Sequence, residues 1–576
     1  MAKATVKVYA SPGCVLLTFD WADGENHPDF LGFAIERNPG YSKNGAAEFL
    51  FNKLDFVPPK DQAAKPKTSD KAPFQKFNWW DGGINPADLG KVFQYTIIPV
   101  NGTGPDDLKL QHNAAAVAKV TIPQVEENNI STYFNRAVVS AQSFLKLKTA
   151  ALDKQMTWLA NGLQNAVPDV LQESDAFDCA IYHLSDELWI LPAFQAFAGR
   201  GAITYFDKGK DTKSAAAIDV LQESNNNISS HKRDKIRSLM HDKFIVSYQD
   251  GKEAAVLMGS TNFTPEAQTV QANLLHIIKS PRLAELYAQR AHRLSANPTT
   301  KDIAASAGWQ DVSDVTGSKI RVFFLPEPGT DRDFLNTVTE AVKHAKSSVL
   351  FCMFTASDEE LMDAIFAQGD SKDHLIYGLL NAIDDPDRPT KKGDKRKLPP
   401  IATTIYHRSH EKPDTLPYSA FGIDAPKGWL PELRTIDTSP YDVSIKPSKA
   451  SKKTKTPPPI HVHHKFIVID GDTETPIIYT GSPNFSKNSE NANDENVLEI
   501  KGNVALAHIY VAEFLRLYNH YRARAIWART HDGTGKSAKA SSDETDILVL
   551  KKTRDEWVKG AFHKGTKEFL SRTRGL

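Results

Sequence analysis

At 576 residues the chain exceeds what one hydrophobic core serves, so roughly two to four domains are expected. A hydrophobic fraction of 40% with 24% charged residues is that of a soluble globular protein. Seventy basic residues balance seventy acidic ones, so no global field marks a nucleic-acid binder, and any anion site has to be local.

The N-terminus, MAKATVKVYASPGCVLLTFDWADG, alternates like a strand and is interrupted by Ser11, Pro12 and Gly13, unlike a signal peptide. No apolar run approaches the ~20 residues needed to cross a bilayer. Cys14, Cys179 and Cys352 are odd in number and far apart, which suggests buried free thiols in a reducing compartment. A soluble, cytoplasmic protein is expected.

Residues 1–125 read as all-β, with strands at Thr5–Ala10, Val15–Trp21, Phe30–Ile35, Phe74–Trp80, Val92–Val100 and Ala115–Ile122 between turn-rich segments. The stretch FNWWDGGINPADLGKVFQYTIIPVNG resembles a fibronectin-type sandwich. Its expected role is packing or interaction rather than catalysis.

From residue 126 helices and strands alternate, as in α/β layers. Helical spacing covers Tyr133–Leu147, Lys154–Asn165 and Glu187–Ala198, with strands at Asp178–His183 and Ala202–Tyr205. The order returns after Lys319. Strand Ile320–Leu325, helix Phe334–Ala345, strand Ser348–Phe354, helix Glu359–Ala367 and strand His374–Leu380 follow one another. Two Pro- and Lys-rich segments, Asp384–Pro400 and Ser439–Pro459, read as surface loops. Charge runs usually mark a solvated face, but beside a phosphate site they can guide a polyanion.

The order reflects a duplication. His241, Lys243, Gly259 and Asn262 reappear as His463, Lys465, Gly481 and Asn484, each shifted by 222 positions. Asn273 with Asn496, and Tyr287 with Tyr510, align at a shift of 223. The expected division is a sandwich over 1–125, a first lobe over 126–316 and a second over 317–576 with a C-terminal extension. The lobes face each other across a pseudo-twofold axis.

In each copy His-x-Lys enters an apolar strand, so the two side chains share one face. A second strand then ends in Gly-Ser-x-Asn, where a tight turn presents polar groups to an anion. The doubled pattern resembles the phospholipase D superfamily, whose motif is His-x-Lys-x4-Asp followed by Gly-Ser-x-Asn. The second copy carries His463, Lys465, Asp470, Gly481, Ser482 and Asn484, and its ending NFSKNSENANDENVLEI resembles the family's small bacterial nucleases. The first copy has Tyr248 where the aspartate belongs, as relatives acting on tyrosyl–DNA links also lack it. The resemblance covers roughly residues 127–530. A third His-x-Lys, His410-Glu411-Lys412, has neither strand nor Gly-Ser-x-Asn behind it and is assigned to chance.

The resemblance implies a metal-independent phosphodiesterase with no cofactor. Its catalytic residues would be His241, His463, Lys243, Lys465, Asn262, Asn484, Asp470 and Glu495, with Ser260, Ser482 and Gln271 binding substrate. His241 is provisionally the nucleophile and His463 the general acid and base. Asp470 and Glu495 would support the imidazoles, whereas Tyr248 carries no charge at neutral pH. The alternate histidines His461 and His463, followed by His464, also suit a metal cluster, but no acidic or Cys partner completes it. The substrate is a nucleic acid, slightly favoured by the basic runs Lys391–Lys397 and Lys446–Lys455, or a phospholipid headgroup. An inactive phosphate binder and a phosphotransferase are the remaining classes, and no membrane helix or nucleotide loop supports the last. The partner of the sandwich is left open.

Overall fold

Strand Cys14–Asp20 is apolar except at Thr18 and Asp20 and is buried on both faces as far as Phe19. It pairs in a tight hairpin with Thr5–Ser11, the turn falling at Pro12 and Gly13. In the computed structural model this hairpin joins Asn78–Asp81 in one sheet. A second sheet takes the order Ala116–Thr121, Val92–Asn101, Phe30–Asn38, Glu48–Phe49. Between them lie Val15, Leu17 and Phe19 from one side and Phe33, Ile35, Phe93, Tyr95 and Ile97 from the other. This is the expected sandwich. The structure describes residues 2–42, 44–52, 54–57, 66–137, 151–209, 212–356, 358–371, 373–383, 404–409, 412–416, 462–530, 549–558 and 560–576.

The two lobes repeat one topology. The first sheet runs Glu126–Glu127, Ile130–Phe134, Leu274–Lys279, Lys252–Gly259, Lys243–Gln249, Ala176–Ile181, Arg200–Phe206, Ile228–Arg233. The second runs Trp309–Val312, Lys319–Leu325, Glu495–Lys501, Ile477–Gly481, Phe466–Ile469, Ser348–Ala356, Leu375–Ile383, Thr404–Ser409, Lys412–Leu416. Each has a core on its outer face, under helices such as Ala166–Gln172 or Asp333–Lys343. Their inner faces share one core filled by helices Pro281–Ser295 and Val504–Thr530. Tyr9, Cys14 and Leu16 of the hairpin enter that same core, so the sandwich is fused to the lobes by apolar burial.

Several expectations change. Ile130–Phe134 is a strand, not the start of a helix, and residues 138–150 lie outside the described residues, as do both Lys-rich segments. Helix Thr212–Ser224 and strand Ile228–Arg233 have no counterpart in the sequence reading. Lys412 does open a strand, Lys412–Leu416, at the sheet edge, although His410 and Glu411 are outside the described residues. The three cysteines are buried and free, as expected. Among the described residues no helix is long and apolar enough to cross a membrane.

The C-terminal stretch returns to the sandwich. Val558, Ala561 and Phe562 complete its core, the Trp557 indole N–H donates to the Phe30 carbonyl at 3.0 Å, and Arg572 meets Asp20. Arg574 donates to the Ser347 carbonyl of the second lobe at 2.8 Å, so this stretch ties the two together. Phe562→Ala is expected to cost about 3–5 kcal/mol by cavity formation, read as a lower denaturation midpoint. An unchanged midpoint would show that the returning stretch is dispensable.

Candidate active site

Each cassette folds as three antiparallel strands, and their pairings set the alignment of the copies. Gly259 faces Leu275, and Gly481 faces Val497. Within the strands the repeat therefore keeps its shift of 222, and the residue equivalent to Glu495 is Asn273. This corrects the alignment of Asn273 with Asn496. One extra residue enters after the strands: the helices that follow start at matching caps, Ser280 accepting from Leu283 N–H and Asn503 from Leu506 N–H. The shift of 223 holds only from there. At both Gly259 and Gly481 a Cβ would collide with the neighbouring strand's carbonyl, of Leu274 or Asn496, so the turn needs glycine.

The lobes then exchange hydrogen bonds. The His241 N–H donates to the Asp494 carbonyl at 2.8 Å, and the His463 N–H to the Ala272 carbonyl at 3.1 Å. Each histidine is thus held by the backbone of the opposite lobe. Side chains repeat the exchange: His241 Nδ1 lies 2.7 Å from Glu495 Oε2, and His463 Nδ1 lies 2.9 Å from Asn273 Oδ1. With Nδ1–H donating in both, each Nε2 carries the lone pair.

Behind these partners stand the serines expected to bind substrate. The Ser260 hydroxyl donates to Asn273 Oδ1 at 2.9 Å, and Ser482 bonds to Glu495 while accepting the Asn496 N–H at 3.0 Å. Asn493 Nδ2 donates to the other Glu495 oxygen at 3.1 Å. These serines orient the groups that orient the imidazoles. Gln271 is fixed through its carbonyl, which accepts from Asn135 at 2.6 Å.

Lys243 Nζ donates to the His241 carbonyl at 2.5 Å and Lys465 Nζ to that of His463 at 2.7 Å, both ammonium groups being fully buried. Among the described residues, Asn262 and Asn484 each hold a buried amide oxygen with no hydrogen-bond partner. Burial drives the Lys243 pKa down to about 7, against the pull of Glu495 and Asp242. Lys465 falls well below its ordinary value through burial and then Lys243. His241 drops to about 4 because burial, aided by the two lysines, outweighs Glu495. His463 also falls well below its ordinary value, through burial and then Lys465, Lys243 and His241. That mutual influence marks the four groups as one electrostatic unit. Burial raises Glu495, but His241 and Lys243 overcome it and bring its pKa down to about 2.

Two aromatic residues missing from the sequence reading complete the symmetry. Tyr182 meets His241 edge-on with ring centroids 4.9 Å apart, and Lys243 Nζ sits 5.0 Å from its ring. Phe354 does the same for His463 at 5.5 Å and for Lys465 at 5.7 Å. Pairing of Ile181 with Lys243, and of Cys352 with Phe466, makes the two rings equivalent. Their signal in sequence is an aromatic closing each apolar run, AFDCAIY and SVLFCMF.

Asp470 is not with this group. Its carboxylate accepts the backbone N–H groups of Lys346, Ser347 and Ser348 at 2.7–3.2 Å, in a left-handed turn with φ 54°. Its equivalent, Tyr248, donates to Asp178 at 2.6 Å. The aspartate position lies at the far strand end in both copies, where Asp470 caps a turn and Tyr248 bonds the neighbouring strand, so Tyr248 deprives neither imidazole of support. His464 packs against Phe134 and Phe466 and is turned from His463, while His461 lies outside the described residues. Among the described residues no group of three His, Cys, Asp or Glu is placed to hold a metal ion.

A family model described as "Cardiolipin synthase, PLD-like domain" matches residues 185–295 and 338–518, just over half the chain. No curated protein sequence matches. Solved structures it resembles include polyphosphate kinase from Porphyromonas gingivalis, at 9% identity and a TM-score of 0.34 over 60% of this chain. The chain spans 46% of that kinase. Phosphatidylserine synthase of Haemophilus influenzae follows at 11% identity and TM-score 0.39, covering 63% of this chain and 85% of that one. The phospholipase D family member Nuc from Salmonella typhimurium shares 22% identity at TM-score 0.21, over 23% of this chain and 85% of its own.

A lysine that titrates near 7 is cationic below that pH and neutral above it. Sulfate, whose charge is constant there, is expected to bind about tenfold more weakly at pH 8.5 than at pH 6. Titration calorimetry at both pH values checks this, and equal affinities would refute it. Asp470→Ala is expected to lose about 1–3 kcal/mol of stability from the abandoned N–H groups, with sulfate affinity unchanged. Loss of sulfate binding in a folded Asp470→Ala would return that residue to the site.

Proposed function

The chain belongs to the phospholipase D-like family, whose members are generally phosphodiesterases, and on that premise we propose that it hydrolyses phosphodiesters through a phosphohistidine at His241. The observation that carries this is the crossed pair of imidazoles, each fixed at Nδ1 by the opposite lobe and electrostatically joined to two buried lysines.

Nε2 of neutral His241 attacks phosphorus, forming a P–N bond as the bond to the leaving oxygen breaks. His463, protonated once the bound phosphate supplies a counter-charge, gives its Nε2 proton to that oxygen. Water then loses a proton to His463 and attacks phosphorus, the P–N bond breaks, and both imidazoles return to their starting states. Lys243, Lys465, Asn262 and Asn484 hold the non-bridging oxygens, so positive charge reaches the phosphoryl group without a metal.

The unequal Nδ1 partners suit unequal roles. A phosphorylated imidazole is cationic, and Glu495 lies on its Nδ1–H where that charge develops. Asn273 is neutral and does not hold an imidazolium, so His463 surrenders its proton readily.

Nucleic acid is the favoured substrate, supported by the nuclease-like second cassette and by Lys391–Lys397 and Lys446–Lys455, each with five basic residues. The family's description as cardiolipin synthase favours a second reading, attack on a phospholipid headgroup.

Assays in EDTA against plasmid, single-stranded DNA and phosphatidylcholine vesicles separate these. DNA cleavage that falls steeply with salt is expected, and turnover of vesicles alone would select the lipid reading. His463→Ala should lose about 10²–10⁴-fold and His241→Ala at least as much. Two fully active single variants would refute the mechanism, and a wild type that binds sulfate but turns over neither substrate would leave a phosphate binder.

A further inference from the structure

The crossed arrangement is symmetric in its backbone but not in what secures it. Asp494 immediately precedes Glu495, and its backbone holds both sides of His241's chain: it donates to the Leu239 carbonyl at 2.9 Å and accepts from the His241 N–H at 2.8 Å. Its side chain is fully buried and gripped by two arginines of the opposite lobe. Arg233 approaches bidentately, Nε at 2.9 Å and Nη2 at 3.3 Å, and Arg290 Nη2 stands at 3.4 Å. Neither arginine is free to drift. Arg233 is anchored on Asn297 and the Pro298 carbonyl, Arg290 on the Leu325 carbonyl. Asp242, between His241 and Lys243, lies 3.6 Å from Arg290 and accepts from Asn496 at 2.6 Å.

The equivalent of Asp494 in the first lobe is Ala272, which has nothing for a guanidinium to grip. The clamp therefore exists on one side only, the side whose imidazole faces a carboxylate.

We propose that Asp494, held by Arg233 and Arg290, is a positioning residue that sets Glu495 on His241 Nδ1. An ionic partner needs this more than an amide does. A buried carboxylate and imidazole must both give up water to meet, and only good geometry repays that cost. A bidentate grip one residue away fixes the backbone to a fraction of an ångström. The proposal rests on the phosphodiesterase reading only for its kinetic consequence; the placement of Glu495 does not.

The test uses the full chain carrying Asp494→Asn, which keeps the side chain's shape and removes its charge. On bis(p-nitrophenyl) phosphate kcat is expected to fall about tenfold or more with KM within about twofold. In proton NMR the downfield Nδ1–H resonance of His241, held by Glu495, should broaden away while that of His463, held by Asn273, persists. A general loss of structure would move both. His241, which faces Glu495, Lys243, Lys465, His463 and Tyr182, should also titrate lower once Glu495 loosens. A folded Asp494→Asn with both resonances and kcat unchanged overturns the proposal, as does loss of both resonances together. Should Asp494→Asn fail to fold, Arg290→Gln, which leaves Arg233 on Asp494, is read by the same criteria. Failure of both to fold counts against it, since such a contact serves the fold rather than one carboxylate. A wild type inactive on every diester sinks the phosphodiesterase reading, yet the two resonances still decide this one.

Discussion

Two backbone hydrogen bonds, His241 to Asp494 and His463 to Ala272, hold the site together. Each crosses from one lobe to the other, so neither half presents a finished histidine alone. The lysines and the Nδ1 partners of both imidazoles are attached to these two points. Lys243 and Lys465 lie two residues beyond the donors, where their strands begin at Lys243 and Phe466, and Glu495 and Asn273 lie one residue beyond the acceptors. The central strands of such a lobe are covered on both faces, so their ends are where polar side chains can gather. Placing two such ends together makes a site at the lobe interface, where ligand pockets commonly form.

Proximity of this kind burdens the fold. Two ammonium groups, two imidazoles and a carboxylate sit where water is nearly absent, with His241 and His463 each 5% exposed. Desolvation dominates the lysine and imidazole shifts and favours the neutral bases. In the proposed reaction an incoming phosphate would supply the missing anion and so recharge the site. The buried apolar residues of helices Pro281–Ser295 and Val504–Thr530 between the sheets, with the hairpin of the sandwich, supply the burial that offsets this. The sandwich thus belongs to the stability of the site, although none of its described side chains reaches it.

Much of this was legible from spacing. His-x-Lys spans one strand period, Gly-Ser-x-Asn demands a turn, and recurrence at 222 positions exposes the duplication. What misled was identity. Asn273 and Asn496 look alike and were paired, but sheet register matches Asn273 to Glu495, and only the pairings of Gly259 and Gly481 reveal it. Asp470 misled because a motif position says nothing of direction: a left-handed turn past the strand end aims its carboxylate at Lys346–Ser348. Arg233 and Arg290 carried no signal, since their partner Asp494 is 261 and 204 residues away.

Duplication starts from two equal halves, yet the two-step displacement we propose would need unequal ones, because one imidazole would become a cation bonded to phosphorus while the other gives a proton away. The inequality here is confined to few positions. Glu495 faces Asn273 across the axis, and Asp494 faces Ala272, while the serines, lysines, asparagines and flanking rings stay matched in place. A carboxylate on one Nδ1 and an amide on the other separate the two imidazoles electronically without moving either. Backbone symmetry fixes where the histidines meet, and differences at matched positions, Asp494-Glu495 against Ala272-Asn273 and Asp242 against His464, give the two imidazoles unlike surroundings.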